Sequence, residues 1–158
     1  MKKIKTALVS VFNKDGIDNL CKELYKNNIT ILSTGGTKSY IEEIDVPVLS
    51  VESITNYPSI LGGRVKTLHP KLFGAILSRS ENMKDNEDTL KYKLPKIDLL
   101  VVDLYPFSET RKNTSNEGDI IEKIDIGGVS LIRAGAKNFS DVVVISSKDQ
   151  YSGVLKNL

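Results

Sequence analysis

Leu99-Leu100-Val101-Val102 is an unbroken apolar run between two aspartates, Asp98 and Asp103. A strand with one wet face alternates apolar and polar residues. A run without alternation suits a strand covered on both faces, as in a parallel sheet between two helix layers. The segment Asp98–Tyr105 therefore reads as a buried strand. Ile4–Val11, Ile29–Leu32, Val46–Val51 and Val142–Ile145 are shorter β-branched runs of the same kind. Between them, Ile17, Leu20, Cys21, Leu24 and Tyr25 recur at helical spacing, with Asn13 or Asp15 able to cap the start. Thr37 is expected to cap a helix running to about Ile44. Ile120–Ile124, Val129–Lys137 and Asp149–Leu158 read as further helices, and Leu72–Leu77 as an apolar piece of open type. Glu81–Lys96 is dense in charge and reads as a solvated excursion.

Strands alternating with helices predict an α/β fold: a single three-layer domain over residues 1–158, with a mostly parallel, twisted sheet and helices on both faces. At 158 residues one core suffices, burying roughly 70% of the unfolded surface. A net charge of +2, with bases scattered among acids and 6% aromatics, argues against a nucleic-acid partner. No apolar run reaches membrane-spanning length, and Met1-Lys2-Lys3 leads straight into a strand-like segment, so a cytoplasmic protein without a membrane partner is expected. Cys21 alone cannot form an internal disulfide, and its leucine neighbours suggest a buried thiol.

Sheets of this type bind ligands beyond the carboxyl ends of their strands, and the irregular segments fall there. Gly62-Gly63-Arg64-Val65-Lys66-Thr67-Leu68-His69-Pro70 packs two glycines, two cations, a hydroxyl and the chain's one histidine into nine residues. Thr34-Gly35-Gly36-Thr37 follows a strand and opens a helix, where outward N–H groups and the helix dipole make an anion seat. It is neither a Walker A loop nor a dinucleotide fingerprint, so a monophosphate fits better. Lys14, Arg64 and Lys66 are candidate counter-ions. His69 has no cysteine or carboxylate cluster beside it; it is expected to shape its loop by a local hydrogen bond, and no metal is expected. Tyr105-Pro106-Phe107 ends the buried strand. In Ile124-Asp125-Ile126-Gly127-Gly128 an acid between isoleucines is expected to be partly desolvated, which raises a carboxyl pKa, or to cap a helix. Lys137, at a helix C-terminus, is by pattern alone structural.

Taken together these blocks resemble the IMP cyclohydrolase domain, a methylglyoxal-synthase-like domain that in its family precedes an AICAR transformylase domain. The carriers are Ala7–Val11 with Lys14 and Gly16, Ser33–Thr37, Gly62–Pro70, Leu104–Phe107, Ile124–Gly128, and Arg133-Ala134 with Lys137-Asn138. The resemblance implies the last step of purine synthesis: 5-formamidoimidazole-4-carboxamide ribotide closes to IMP with loss of water, as a cyclic-amidine hydrolase does. It implies no cofactor, usually a homodimer, and small-molecule nucleotide monophosphates as partners. On that resemblance, transformylase activity is expected to be absent from this chain. Carried over residue by residue, Lys66, Tyr105, Asp125 and Lys137 are the catalytic set. Ser10, Phe12, Asn13, Lys14, Thr34, Gly35, Gly36 and Thr37 hold the phosphate side. Arg64, Val65 and Thr67 line the nucleotide site, and Val102, Asp103, Ile126 and Gly127 flank the base. The family usually has serine at Phe12 and asparagine at Asp103, so Asn13 or backbone groups are expected to compensate for Phe12. Methylglyoxal synthase, and a regulatory nucleotide-binding module of the same fold, are the rival readings.

Overall fold

The computed structural model describes residues 3–158; Met1 and Lys2, expected to lead straight into a strand, lie outside the described residues. The order of elements is β1 (Thr6–Ser10), α1 (Ile17–Lys26), β2 (Thr30–Ser33), α2 (Gly35–Glu43), β3 (Leu49–Ser50), α3 (Val51–Thr55), α4 (Pro70–Leu77), α5 (Met83–Lys91), β4 (Leu99–Val102), α6 (Phe107–Asn113), α7 (Glu117–Ile121), α8 (Gly127–Lys137), β5 (Val143–Ile145) and α9 (Tyr151–Leu155). Single 3₁₀ turns lie at Leu61–Gly63 and Lys148–Gln150. The strands form one sheet in the order β3-β2-β1-β4-β5, and every ladder in it is parallel.

Successive strand residues face opposite sides, and the core divides accordingly. Ala7 and Val9 of β1, with Leu99 and Val101 of β4, pack against Ile17, Leu20, Cys21 and Leu24 of α1, Ile41 of α2, and Tyr151 and Val154 of α9. Leu8, Leu100 and Val102 face the other way, onto Val51, onto Leu72 and Ile76 of α4, and onto Leu131 and Ala134 of α8. The unalternating apolar run of β4 is thus a strand buried on both faces, as its sequence predicts.

Several boundaries differ from expectation for identifiable reasons. Only Leu49–Ser50 of the expected third strand pairs with β2, because Ser50 caps a new helix through its Oγ, which accepts from Ser53 N (3.0 Å). Helix α2 begins at Gly35 with Thr34 as its N-cap, not at Thr37. Helix α1 starts after Gly16, held at φ 75°, without a side-chain cap from Asn13 or Asp15. The piece at Leu72–Leu77 is helical: Pro70 occupies its first turn, where its missing N–H costs nothing. His69 caps it, Nδ1 accepting from Lys71 N (3.1 Å), which is the expected local role. Helix α7 lies three residues earlier than the expected Ile120–Ile124, and α8 starts at the paired glycines rather than at Val129. Glu81–Lys96 contains α5, with Asn82 as its cap.

Asp98 fixes the amino ends of three strands. Its buried Oδ2 accepts from Lys5 N (2.9 Å) and Thr6 N (3.2 Å), while its own N–H donates to Thr6 and its carbonyl accepts from Val143 N. Cys21 is fully buried, and burial pushes its thiol up to about 12 from an ordinary 9.0. The native thiol should therefore resist Ellman's reagent at pH 8 and react at once in guanidinium. A raised thiol pKa favours the fold below the unfolded value of 9.0 and ceases to do so as pH climbs toward about 12. Native stability at Cys21 should decline over that alkaline window. Among the described residues, no helix is long and apolar enough to cross a membrane.

Candidate active site

The loops that follow β1, β2 and β4, together with the start of α8, enclose a cavity of about 790 Å³ at the carboxyl edge of the sheet. This is the size range of small-molecule and nucleotide pockets. Of the residues singled out from the sequence, Ser10, Phe12, Lys14, Thr34, Gly36, Thr37, Arg64, Lys66, Thr67, Asp103, Tyr105, Asp125, Ile126 and Gly127 line it.

One end is built for an anion. Gly35, Gly36 and Thr37 form the first turn of α2, whose N–H groups have no partner within the helix. Gly35 takes φ +55°, and a Cβ added there would stand 3.3 Å from Lys66 Nζ, so that ammonium hangs directly over the helix start. Lys14 Nζ reaches the same corner, donating to Phe12 O (3.1 Å), to Thr37 Oγ1 (3.3 Å) and to Val11 O. Burial holds Lys14 below the usual lysine value; nearby Asp103 raises it in part and the charge of Lys66 lowers it further. Two ammoniums this close call for an anion between them.

The threonines are less free than the sequence suggests. Thr37 Oγ1 donates to Val11 O (2.8 Å) and accepts from Val11 N (3.1 Å), pinning the loop after β1. Thr34 Oγ1 donates to Glu52 Oε1 of α3 (2.6 Å). Their hydroxyls organise the seat, and its donors are main-chain N–H groups and lysines.

The same cavity is also lined by Asp125, Tyr105, Thr67 and the start of α8. Asp125 Oδ1 accepts from Gly128 N (2.6 Å), so the carboxylate caps α8 as expected, with Oδ2 left over. A Cβ on Gly128 would lie 2.7 Å from that Oδ2, so the paired glycines are what admit the carboxylate. Tyr105 meets Phe12 edge to face at 5.5 Å. The connector between α7 and α8 adds to the lining: Glu122 accepts from Arg64, and Lys123 Nζ lies 5.2 Å from the Phe12 ring centroid and 5.4 Å from that of Tyr105.

Asp103 lines the cavity and also holds its wall together. Its carboxylate takes the N–H groups of both Phe12 and Asn13 (2.9 Å for Asn13), clamping the loop after β1. The backbone groups expected to make up for Phe12 are thereby engaged. Asn13, Gly35, Val65, Val102 and Lys137 do not line the cavity. Val65 pairs with Ile60 in a short antiparallel bridge, and Val102 lies in the core. Lys137 ends the 11-residue helix that Gly127 begins, about 15 Å further along its axis, and the structure does not bring it to Asp125.

The MGS-like domain family matches residues 16–130, most of the chain and most of this cavity's lining. The chain belongs to that family. The MGS-like domain is 55% identical over 157 residues to the bifunctional purine biosynthesis protein PurH of Bacteroides thetaiotaomicron, and 47% identical over 156 residues to PurH of Clostridium acetobutylicum. These alignments cover 99% and 98% of the chain but 31% of each relative, so it spans about a third of their length. Among solved structures, the crystal structure of ForH superposes with a TM-score of 0.84 at 31% identity, covering 96% of this chain and 76% of that one.

Sequence reasoning missed Glu52, Glu122 and Lys123 as parts of this MGS-like domain's site. The apolar period of Ile120–Ile124 drew attention to a helix face. The usable signal lay in the adjoining charges, since Glu122 and Lys123 immediately precede the Ile124–Gly128 block.

Proposed function

We propose that this MGS-like domain is an IMP cyclohydrolase, closing the formamido ribotide to IMP with loss of water. The observation that carries the reading is a cavity lined by both kinds of group. An anion seat formed by the α2 N-terminus, Lys14 and Lys66 shares one nucleotide-sized space with the Asp125 carboxylate and Tyr105. Relatives named for purine biosynthesis at high identity support it.

The ring closure is intramolecular, so much of the positional advantage is already in the substrate. The protein has to fix the formyl rotamer, activate a poor amide nucleophile and support the charge that develops on oxygen. With Oδ1 committed to Gly128 N, Asp125 Oδ2 is the acceptor for a carboxamide N–H. Tyr105 supplies a hydroxyl in the same cavity. Lys66, over the start of α2, belongs with the phosphate rather than the reacting atoms. Lys137 stands outside this arrangement, at the far end of α8.

The test is to mix the protein with the formamido ribotide and follow IMP by absorbance. Turnover upholds the reading. Tight IMP binding without turnover replaces it with the regulatory module. On the same assay Lys66→Met should raise KM by about 10-fold or more, as expected for loss of a charge-assisted hydrogen bond of roughly 1.5–3 kcal/mol, with kcat nearly unchanged. A fall in kcat at constant KM would move Lys66 to the reacting end.

A further inference from the structure

We propose that Asp103 is a positioning residue for Lys14: through the two peptide units that flank Phe12, its carboxylate holds the lysine ammonium at the anion seat. The inference rests on reading that corner as the seat of the nucleotide phosphate.

Two consecutive peptides carry the link. In the peptide joining Val11 to Phe12, the N–H donates to Asp103 Oδ1 and the carbonyl accepts from Lys14 Nζ. In the peptide joining Phe12 to Asn13, the N–H donates to Asp103 Oδ2 (2.9 Å) and the carbonyl accepts from Lys14 Nζ (3.1 Å). A trans peptide is a rigid plane with its N–H and C=O on opposite edges. A carboxylate on one edge of both planes therefore fixes where both carbonyls point on the other. Hydrogen bonds in such a chain polarise and strengthen one another. Thr37 Oγ1 supplies a third acceptor for the ammonium (3.3 Å) and braces Val11 from the side of α2. Three ammonium donors thus meet three protein acceptors, and Lys14 is a fixed charge rather than a mobile one.

An amide could not do the same. Two adjacent N–H groups need two acceptor oxygens, and asparagine offers one oxygen and an opposing NH₂. Burial lowers the pKa of Lys14, and the charge of Asp103 counters it by favouring the ammonium. Yet Asp103 also lines the cavity, where its charge alone repels an anion. Positioning and direct repulsion therefore predict opposite signs when the carboxylate is removed.

The test measures IMP affinity by calorimetry for the unaltered protein, Asp103→Ala, Lys14→Met and the double variant. Asp103→Ala should weaken IMP binding about 10-fold, the scale set by one charge-assisted hydrogen bond. In the Lys14→Met background the same change should leave affinity unchanged or improve it, because only the repulsion remains to be lost. Asp103→Asn, close in shape to the native residue, should show a smaller loss of the same sign and decides the matter if the alanine variant does not fold. Unchanged or tighter IMP binding on loss of the carboxylate overturns the inference. Equal weakening in both backgrounds also overturns it, making Asp103 a general brace of the loop. A protein that shows the predicted cycle but forms no IMP from the formamido ribotide upholds this inference and loses the cyclohydrolase reading. No IMP binding by the unaltered protein overturns both.

Discussion

Asp125→Asn is expected to lower kcat for ring closure by about 10²–10⁴-fold, the usual contribution of a general base. The substitution is chosen because it separates two jobs done by one side chain. Oδ1 accepts from Gly128 N and caps α8, and the asparagine carbonyl can continue to do so. What asparagine cannot do is accept a carboxamide proton at the second position. Helix and cavity should therefore persist, with the thermal midpoint nearly unchanged and IMP binding measurable by calorimetry, while turnover collapses. Unaltered kcat would show that Oδ2 does not touch the nucleophile. Lost IMP binding together with a lowered midpoint would show that the cap was its main role.

Leu100→Ala should be the most damaging single truncation in the fold. Leu100 is fully buried in β4, which pairs with β1 on one side and β5 on the other. Large-to-small changes at such positions cost about 2–5 kcal/mol. For a chain of this size that is a fall in Tm of roughly 4–20 °C. The site argues for the upper part of the range. A Cβ on Gly135 would come within 2.7 Å of Leu100 Cδ1 and 2.5 Å of Val144 Cγ2, so α8 rests on the sheet with no slack. Such close packing transmits a cavity rather than absorbing it. Urea titration reads the loss directly, and an unchanged midpoint would show that α8 settles into the vacated volume.

The layered architecture was legible because burial leaves a strong mark on composition. Leu99–Val102 has no polar face to show, and the spacing of Ile17, Leu20, Cys21 and Leu24 matches one side of a helix. Short helices were not legible. Val51–Thr55 and Phe107–Asn113 are one or two turns long, too short for a period to register, and they form where a local cap or a proline redirects the chain. In the site, main-chain anion donors announce themselves through glycines. Pairings across sequence distance do not. Nothing near Asp103 reveals that it will clamp Phe12 and Asn13, some ninety residues earlier, and nothing near Thr34 points to Glu52.

Helix α8 has a consequence for how the protein tolerates change. Its far end is tied down by Asn138, whose side-chain amide donates to Ile76 O (2.8 Å) and Ser78 O (2.9 Å) at the end of α4. Its middle is flush against the sheet at Gly135, and its near end carries the carboxylate of Asp125. The helix is a post set in the floor of the domain. A chain mutated in the layer around α8, at Leu72, Ile76 or Val144, should keep its fold and still misplace its reacting group by a fraction of an ångström. Catalytic decline would then be the first visible sign of drift in residues that never meet the ligand.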